Sequence, residues 1–110
     1  MKISFKTQKL KKQLTKAKEM QKSYGIMAKK INQRMKEIKA SDNFEVLGTI
    51  PAAGCHELKG NKRGEYAVNI SGNYRIIFVP DHDPVPFKDD RSINCKKITD
   101  IKILGIEDYH

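Results

Sequence analysis

The sequence is poor in the residues that build cysteine-based sites. Its 110 residues include only two cysteines, Cys55 and Cys95, which are far apart and outside any CxxC pair. Zinc sites and disulfide frameworks need clustered or regularly spaced cysteines, so neither is expected and both thiols should be reduced. No metal ion or other cofactor is suggested by the remaining residues.

Long apolar segments are also lacking. No stretch approaches the roughly 18 to 20 apolar residues of a membrane span. The first residues, Met1 to Lys6, do not contain the apolar segment of a signal peptide. The chain is therefore predicted to be soluble and cytoplasmic, with no membrane partner. Its length predicts a single domain over residues 1–110 with one core.

Acidic residues are scarce in the first forty positions. Residues 1–40 include 13 Lys or Arg against Glu19 and Glu37, whereas residues 41–110 include 9 basic and 11 acidic residues. The net charge of +9 therefore originates in the N-terminal part of the chain. Such a basic face is typical of proteins that bind a polyanion, which could be RNA, DNA or an acidic protein. A solvated helix face that only aids solubility is the alternative.

Two apolar stripes at helical spacing predict two helices within residues 7–40. Thr7 is a plausible N-cap for the first helix, and Gly25 can end it in a left-handed conformation. The second helix is predicted to run to about Ala40, and so short a break favours an antiparallel helical hairpin. The stripes consist of Leu10, Leu14, Ala17 and Met20 in the first helix and of Met27, Ile31, Met35 and Ile38 in the second.

The rest of the sequence predicts mainly strands. Asp42 could cap a short helix over residues 44–47, and Ser71-Gly72-Asn73 predicts a tight hairpin turn. Residues 80–97, with three prolines, read as a long loop that is either functional or poorly ordered. Strands are predicted at residues 3–5, 55–59, 65–71, 74–79 and 98–107. The predicted fold class is α+β, with an N-terminal helical hairpin packed on a mostly antiparallel twisted sheet.

Polar residues near the predicted strand ends could perform acid–base chemistry. The chain ends on Asp108, Tyr109 and His110, directly after the apolar last strand, so the sheet is expected to hold these three in place. His56 and Lys59 lie on another strand, and strand alternation leaves open whether those two side chains converge. A carboxylate, a phenol and imidazoles gathered at one edge can move protons near neutral pH.

Together with Arg75, these residues suit cleavage of RNA without a metal. A base would take the proton from a ribose 2′-hydroxyl, an acid would protonate the departing 5′-oxygen, and cations would stabilise the phosphorane. Each residue also has a plainer interpretation. His56 could be a hydrogen-bonded strand residue, Arg75 the ion-pair partner of a glutamate, and Tyr109 a cover for the core. His82 is interpreted as a solvated loop residue.

Three blocks of the sequence follow one another along the chain: the HxLKG block that begins at His56, the YRIxF strand that contains Arg75, and the terminal Asp108-Tyr109-His110. In this order they resemble the HigB branch of the RelE/ParE toxins of bacterial type II toxin–antitoxin modules, including the plasmid maintenance killer proteins. The preceding helical hairpin also fits the family. The resemblance therefore covers nearly the whole chain and implies a RelE-like fold.

The resemblance implies a ribosome-dependent mRNA endonuclease that acts in the A site of the small ribosomal subunit. It also implies a cognate HigA-like antitoxin with a helix-turn-helix domain. Proton transfer is assigned by resemblance to His56 and His110, charge stabilisation to Lys59 and Arg75, and substrate stacking or positioning to Tyr109 and Asp108. Predicted RNA contacts are Arg75, Lys62, Arg63, Lys9, Lys12, Lys16 and Lys30.

Two other functional classes remain compatible with the sequence. A ParE-like toxin would bind DNA gyrase and cleave nothing, whereas a non-catalytic member would be only a binding module. The histidines, Lys59 and the terminal three residues favour the nuclease. The segment 80–97 departs from the compact family pattern because it is longer and more acidic than in many relatives, which affects expectations about antitoxin contacts.

Overall fold

The computed structural model describes residues 1–108, which form helices packed on one five-stranded sheet. This arrangement confirms the predicted α+β class. The helices are α1 (Gln8–Thr15), α2 (Ala17–Tyr24), α3 (Ala28–Ala40) and α4 (Phe44–Gly48), and the strands are β1 (Lys2–Phe5), β2 (His56–Glu57), β3 (Tyr66–Ser71), β4 (Tyr74–Pro80) and β5 (Asp100–Asp108). Short 3₁₀ turns cover Gly25–Met27, Pro51–Ala53, Gly60–Lys62 and Cys95–Lys97.

The sheet has the strand order β1-β5-β4-β3-β2. The strand β1 pairs with β5 in parallel, and the other neighbours pair antiparallel, so the prediction of a mostly antiparallel sheet is confirmed. The predicted hairpin turn joins β3 to β4, and Gly72 takes a positive φ of 37° there, which suits a residue without a side chain. The short β2 and the first strand β1 form the two edges.

The N-terminal helices differ from the prediction at one point. Thr7 caps α1 as predicted, with its Oγ1 accepting from the Leu10 amide at 3.1 Å. The first helix, however, is interrupted at Lys16, whose φ of −107° and ψ of 121° are extended. Ala17 is consequently exposed rather than part of the apolar stripe. Gly25 ends α2 with a φ of 55°, and α3 contacts both preceding helices.

The short helix α4 begins at Phe44 as predicted, but its cap is the residue after the predicted one. The side chain of Asn43, rather than that of Asp42, accepts from the Val46 amide at 3.0 Å. In α4, Phe44 packs edge-on against Tyr66 and Phe78, with ring centroids 5.0 and 5.7 Å apart. Among residues 1–108, no helix is long and apolar enough to cross a membrane.

Apolar residues are buried on both faces of the sheet. The larger cluster lies between the sheet and the helices and includes Ile31, Val68 and Phe78. A smaller cluster on the other face contains Ala67 and Ile77. On this second face Ala67 is fully buried, because neighbouring side chains cover this small residue.

The segment between β4 and β5 has a structure of its own. A bridge joins Phe87 to Ile93, and the Lys88 amide donates to the Ser92 carbonyl at 2.8 Å.

The predicted strands differ from the observed ones mainly at their ends. In particular, β2 covers only two of the five predicted residues, because the chain enters the 3₁₀ turn Gly60–Lys62 soon after Leu58.

Candidate active site

His56 lies on the edge strand β2 with an exposed side chain and a defined hydrogen bond. Its Nδ1 is 2.8 Å from the carbonyl oxygen of Gly54. A carbonyl can only accept, so Nδ1 carries the proton and Nε2 of the neutral ring presents a lone pair. Gly54 reaches this position in a left-handed conformation, with φ 54° and ψ 43°, at the end of a 3₁₀ turn. The turn therefore sets the tautomer of His56.

The lone pair on Nε2 faces the guanidinium of Arg75. Nη1 of Arg75, on β4, is 3.3 Å from Nε2 of His56. A guanidinium can only donate, so this contact agrees with the tautomer set by Gly54. In register, His56 is opposite Ala67 and Arg75 is opposite Asn69, which places both side chains on the same face of the sheet. Because Ala67 is small, Arg75 can reach across β3 to the histidine.

Glu107 is a neighbour of this pair that the sequence did not indicate. It is opposite Arg75 in the register of β4 and β5, and its Oε2 is 2.6 Å from Nζ of Lys62. The ion pair joins the connection between β2 and β3 to the end of β5. Both side chains are about two-fifths exposed, so the pair contributes no more than about 1 kcal/mol to stability. The alternation of side chains between the two faces of β5 is the sequence signal that could have indicated Glu107 as a site neighbour.

Asp108 is not brought to the His56 and Arg75 pair by the strand register. It is exposed and opposite Tyr74, so it belongs to the face of the sheet that does not carry Arg75. Tyr109 and His110, the other predicted catalytic residues of this end, lie outside the described residues.

The connection from β2 to β3 carries three of the predicted cationic residues. A carboxylate oxygen of Glu57 accepts from the Gly64 amide at 2.9 Å and folds this connection back on β2. Lys59 and Arg63 are exposed on it, and within residues 1–108 no hydrogen bond or ion pair joins either one to His56. Lys62 contacts Glu107 instead of pointing away into solvent. Within residues 1–108, Arg75 is the cationic residue that contacts His56.

The predicted RNA-binding lysines of the helices form a separate group. Lys9 and Lys12 are one turn apart on α1, Lys16 lies between α1 and α2, and Lys30 lies on α3. All four side chains are exposed. The described contacts connect none of them to His56, so any role in binding would be separate from chemistry at β2.

His82 is not the solvated loop residue that the sequence suggested. It is half-buried, and its Nε2 accepts from the amides of Thr99 and Asp100 at 3.1 and 3.2 Å. This histidine ties the start of the long loop to the start of β5. Among residues 1–108, no group of three or more His, Cys, Asp or Glu side chains could hold a metal ion.

The residue before His56 is the half-buried thiol of Cys55. Burial, followed by the proximity of Cys95, raises the pKa of Cys55 from its ordinary 9.0 to about 11. Burial and then the carboxylate of Glu57 similarly raise the pKa of Tyr66 to about 12. Both groups are therefore neutral at physiological pH.

The raised pKa of Cys55 predicts low reactivity. In a Cys95→Ser variant, we expect Cys55 to be alkylated by iodoacetamide at pH 8 roughly 100-fold more slowly than a free thiol, because the thiolate is the nucleophile and its fraction falls with rising pKa. Urea should restore ordinary reactivity. Rapid alkylation of the folded variant would contradict the assignment of Cys55 as a half-buried, protonated thiol.

Most of the chain matches the model of a known protein family. The family model described as a RelE-like toxin of the type II toxin–antitoxin system HigB matches residues 3–85. A search of curated proteins finds no match.

Several solved structures have a similar fold. The YoeB–YefM complex from Staphylococcus aureus contains a chain with 23% identity and a TM-score of 0.54, and the match covers 100% of this chain and 97% of that one. A YoeB dimer from the same organism has 24% identity and a TM-score of 0.53, with the same coverage. A YoeB/ParE toxin from Agrobacterium tumefaciens has 15% identity and a TM-score of 0.53, and both chains are covered completely. At these identities the similarity concerns the fold.

Proposed function

Because this chain belongs to the HigB-like family of RelE-like toxins of type II toxin–antitoxin systems, we propose that it is an endoribonuclease that cleaves translated mRNA in the ribosomal A site. The observation that supports this proposal is the pair formed by His56 and Arg75. An unprotonated imidazole nitrogen of the exposed His56 lies 3.3 Å from a guanidinium nitrogen near the edge of the sheet. A base beside a cation that can bind phosphate provides the groups needed for a ribose 2′-hydroxyl to attack the adjacent phosphorus within an RNA strand.

In the proposed reaction, Nε2 of His56 takes the proton from a ribose 2′-hydroxyl. The 2′-oxygen then attacks the adjacent phosphorus, and the bond from phosphorus to the 5′-oxygen breaks. The guanidinium of Arg75, freed from His56 by the incoming phosphate, stabilises the charge on the phosphorane, and Lys59 adds a second cation. The products are a 2′,3′-cyclic phosphate and a 5′-hydroxyl end.

The acid for the departing 5′-oxygen is assigned to His110 on the family resemblance. The same resemblance assigns stacking or positioning of the substrate to Tyr109 and Asp108. Stacking of an unpaired base on an aromatic side chain is a common mode of RNA recognition. Lys62 and Arg63 would contact phosphates at the rim, and Lys62 can exchange Glu107 for a phosphate because their pair is partly solvated.

The proposal includes two kinds of partner. The exposed lysines of the helices would contact ribosomal RNA through its phosphates, which requires no base sequence. A HigA-like antitoxin with a helix-turn-helix domain would neutralise the toxin. One of the structures with a similar fold is the YoeB–YefM complex, which supports the expectation of a protein partner.

Mapping mRNA ends tests the proposal directly. The protein is added to translating ribosomes, and the 5′ ends of a reporter mRNA are mapped by primer extension. We expect new ends inside the coding region of the translated mRNA and none in a matched mRNA whose start codon has been removed. Inhibition of gyrase supercoiling without new mRNA ends would instead support a ParE-like toxin. The absence of both effects would indicate a binding module.

A further inference from the structure

The side chain of Arg34 is buried in the interior between α3 and the sheet. It is only 3% exposed, whereas the neighbouring positions of the same buried stripe, Ile31, Met35 and Ile38, are apolar. A buried cation costs desolvation free energy, and an apolar residue of similar volume often serves stability equally well. The directional hydrogen bonds of Arg34 are therefore what distinguishes it from its neighbours.

Those hydrogen bonds converge on the backbone around the turn before His56. Nε of Arg34 donates to the carbonyl of Asn69 on β3 at 2.6 Å, and Nη2 donates to the carbonyl of Ala52 in the 3₁₀ turn at 2.9 Å. The third nitrogen, Nη1, is 3.0 Å from Oε1 of Glu37. The planar fork of one guanidinium thus ties α3, β3 and the turn together, and Glu37 supplies the compensating charge.

The same two backbone segments also meet at Gly54. A Cβ on Gly54 would lie 2.5 Å from Nδ2 of Asn69, so the turn is packed directly against this side chain. Asn69 is also opposite Arg75 in the register of β3 and β4. The carbonyl of Gly54 accepts from His56, so a shift of the turn moves the atom that holds the imidazole.

We propose that Arg34, oriented by Glu37, is a positioning residue that holds the turn before His56 and thereby sets the tautomer and direction of the imidazole. Its role in catalysis rests on the proposed function of His56 as the base. Arg34 itself is buried and does not touch the substrate. Through its hydrogen bonds to the carbonyls of Ala52 and Asn69, Arg34 fixes the turn before the edge strand relative to α3.

The test combines a spectroscopic measurement with a kinetic one. The variants are Arg34→Lys, Arg34→Met and the matched control Ile31→Val, which alters the same buried face of α3 without removing a hydrogen bond to the turn. Long-range ¹H–¹⁵N spectra report which nitrogen of His56 carries the proton. We expect the wild type and Ile31→Val to show the Nδ1-protonated form and both Arg34 variants to show a mixture of tautomers.

In single-turnover cleavage of mRNA on ribosomes, the Arg34 variants should be slower by roughly 10- to 100-fold, because small misplacements of a catalytic group are costly. The ribosome concentration that gives half the maximal rate should remain unchanged. Folded Arg34 variants with wild-type His56 spectra would overturn the proposal. If both fail to fold, Glu37→Gln is measured in the same way, and unchanged His56 spectra would again overturn it. The spectra need no substrate, so an inactive wild type would refute the proposed function alone.

Discussion

The His56→Ala variant is expected to cleave translated mRNA about 1,000-fold more slowly than the wild type, because general base catalysis typically contributes 10²- to 10⁴-fold. The variant loses the nitrogen that would accept the 2′-hydroxyl proton and keeps Arg75 on the same face. His56 is exposed on an edge strand, so its loss should leave the fold intact by circular dichroism. Toxicity, measured as growth inhibition, should disappear with the cleavage.

His82 provides a matched control for the loss of an imidazole. A His82→Gln variant removes the other described histidine ring, and the glutamine oxygen can still accept from the amides that His82 binds. This variant should retain cleavage within a few-fold while showing a modest loss of thermal stability. Wild-type cleavage by His56→Ala, or an equal loss in both variants, would mean that His56 is not the base.

Reversing the charges of Lys9, Lys12, Lys16 and Lys30 to Glu is expected to weaken ribosome binding by at least 100-fold, because each phosphate contact releases counterions. All four side chains are exposed and separate from His56, so the fold and the chemistry should persist. Pelleting of ribosomes at several salt concentrations measures the affinity. The remaining binding should also depend less steeply on salt.

A control with the same change in net charge separates location from total charge. Lys88, Arg91, Lys96 and Lys97 are exposed in the segment between β4 and β5, and their reversal to Glu removes as much positive charge. Binding of this control should fall much less. Equal weakening in the two proteins would show that only the net charge matters, and unchanged binding in both would assign the basic helices to another partner.

Local patterns in the sequence predicted most of the elements. The apolar spacing in the N-terminal part corresponds to the observed helices, Thr7 caps α1, and the Gly72-Asn73 turn joins β3 to β4. These features depend on residues within a few positions of each other, and their backbone preferences act locally. The break at Lys16 was missed because the apolar spacing there continues without a glycine or proline to mark it.

The pairing of side chains across strands could not be read from the sequence. Arg75 contacts His56, Lys62 contacts Glu107, and their separations of 19 and 45 residues have no local signal. Which residues share a face depends on register, since a shift of one residue turns every side chain to the opposite face. That dependence also explains why Asp108, adjacent to Glu107 in sequence, is on the other face from Arg75.

The sequence by itself therefore determined the family, the α+β class, the basic helices and the identity of His56 and Arg75 as candidates. Only the tertiary structure decided that His56 presents its unprotonated Nε2 to Arg75 and that Arg34 is buried rather than part of the exposed basic face. The physical reason is that composition and periodicity act along the chain. Tautomers, burial and ion pairs instead depend on which distant backbone atoms the packed core brings within hydrogen-bond distance.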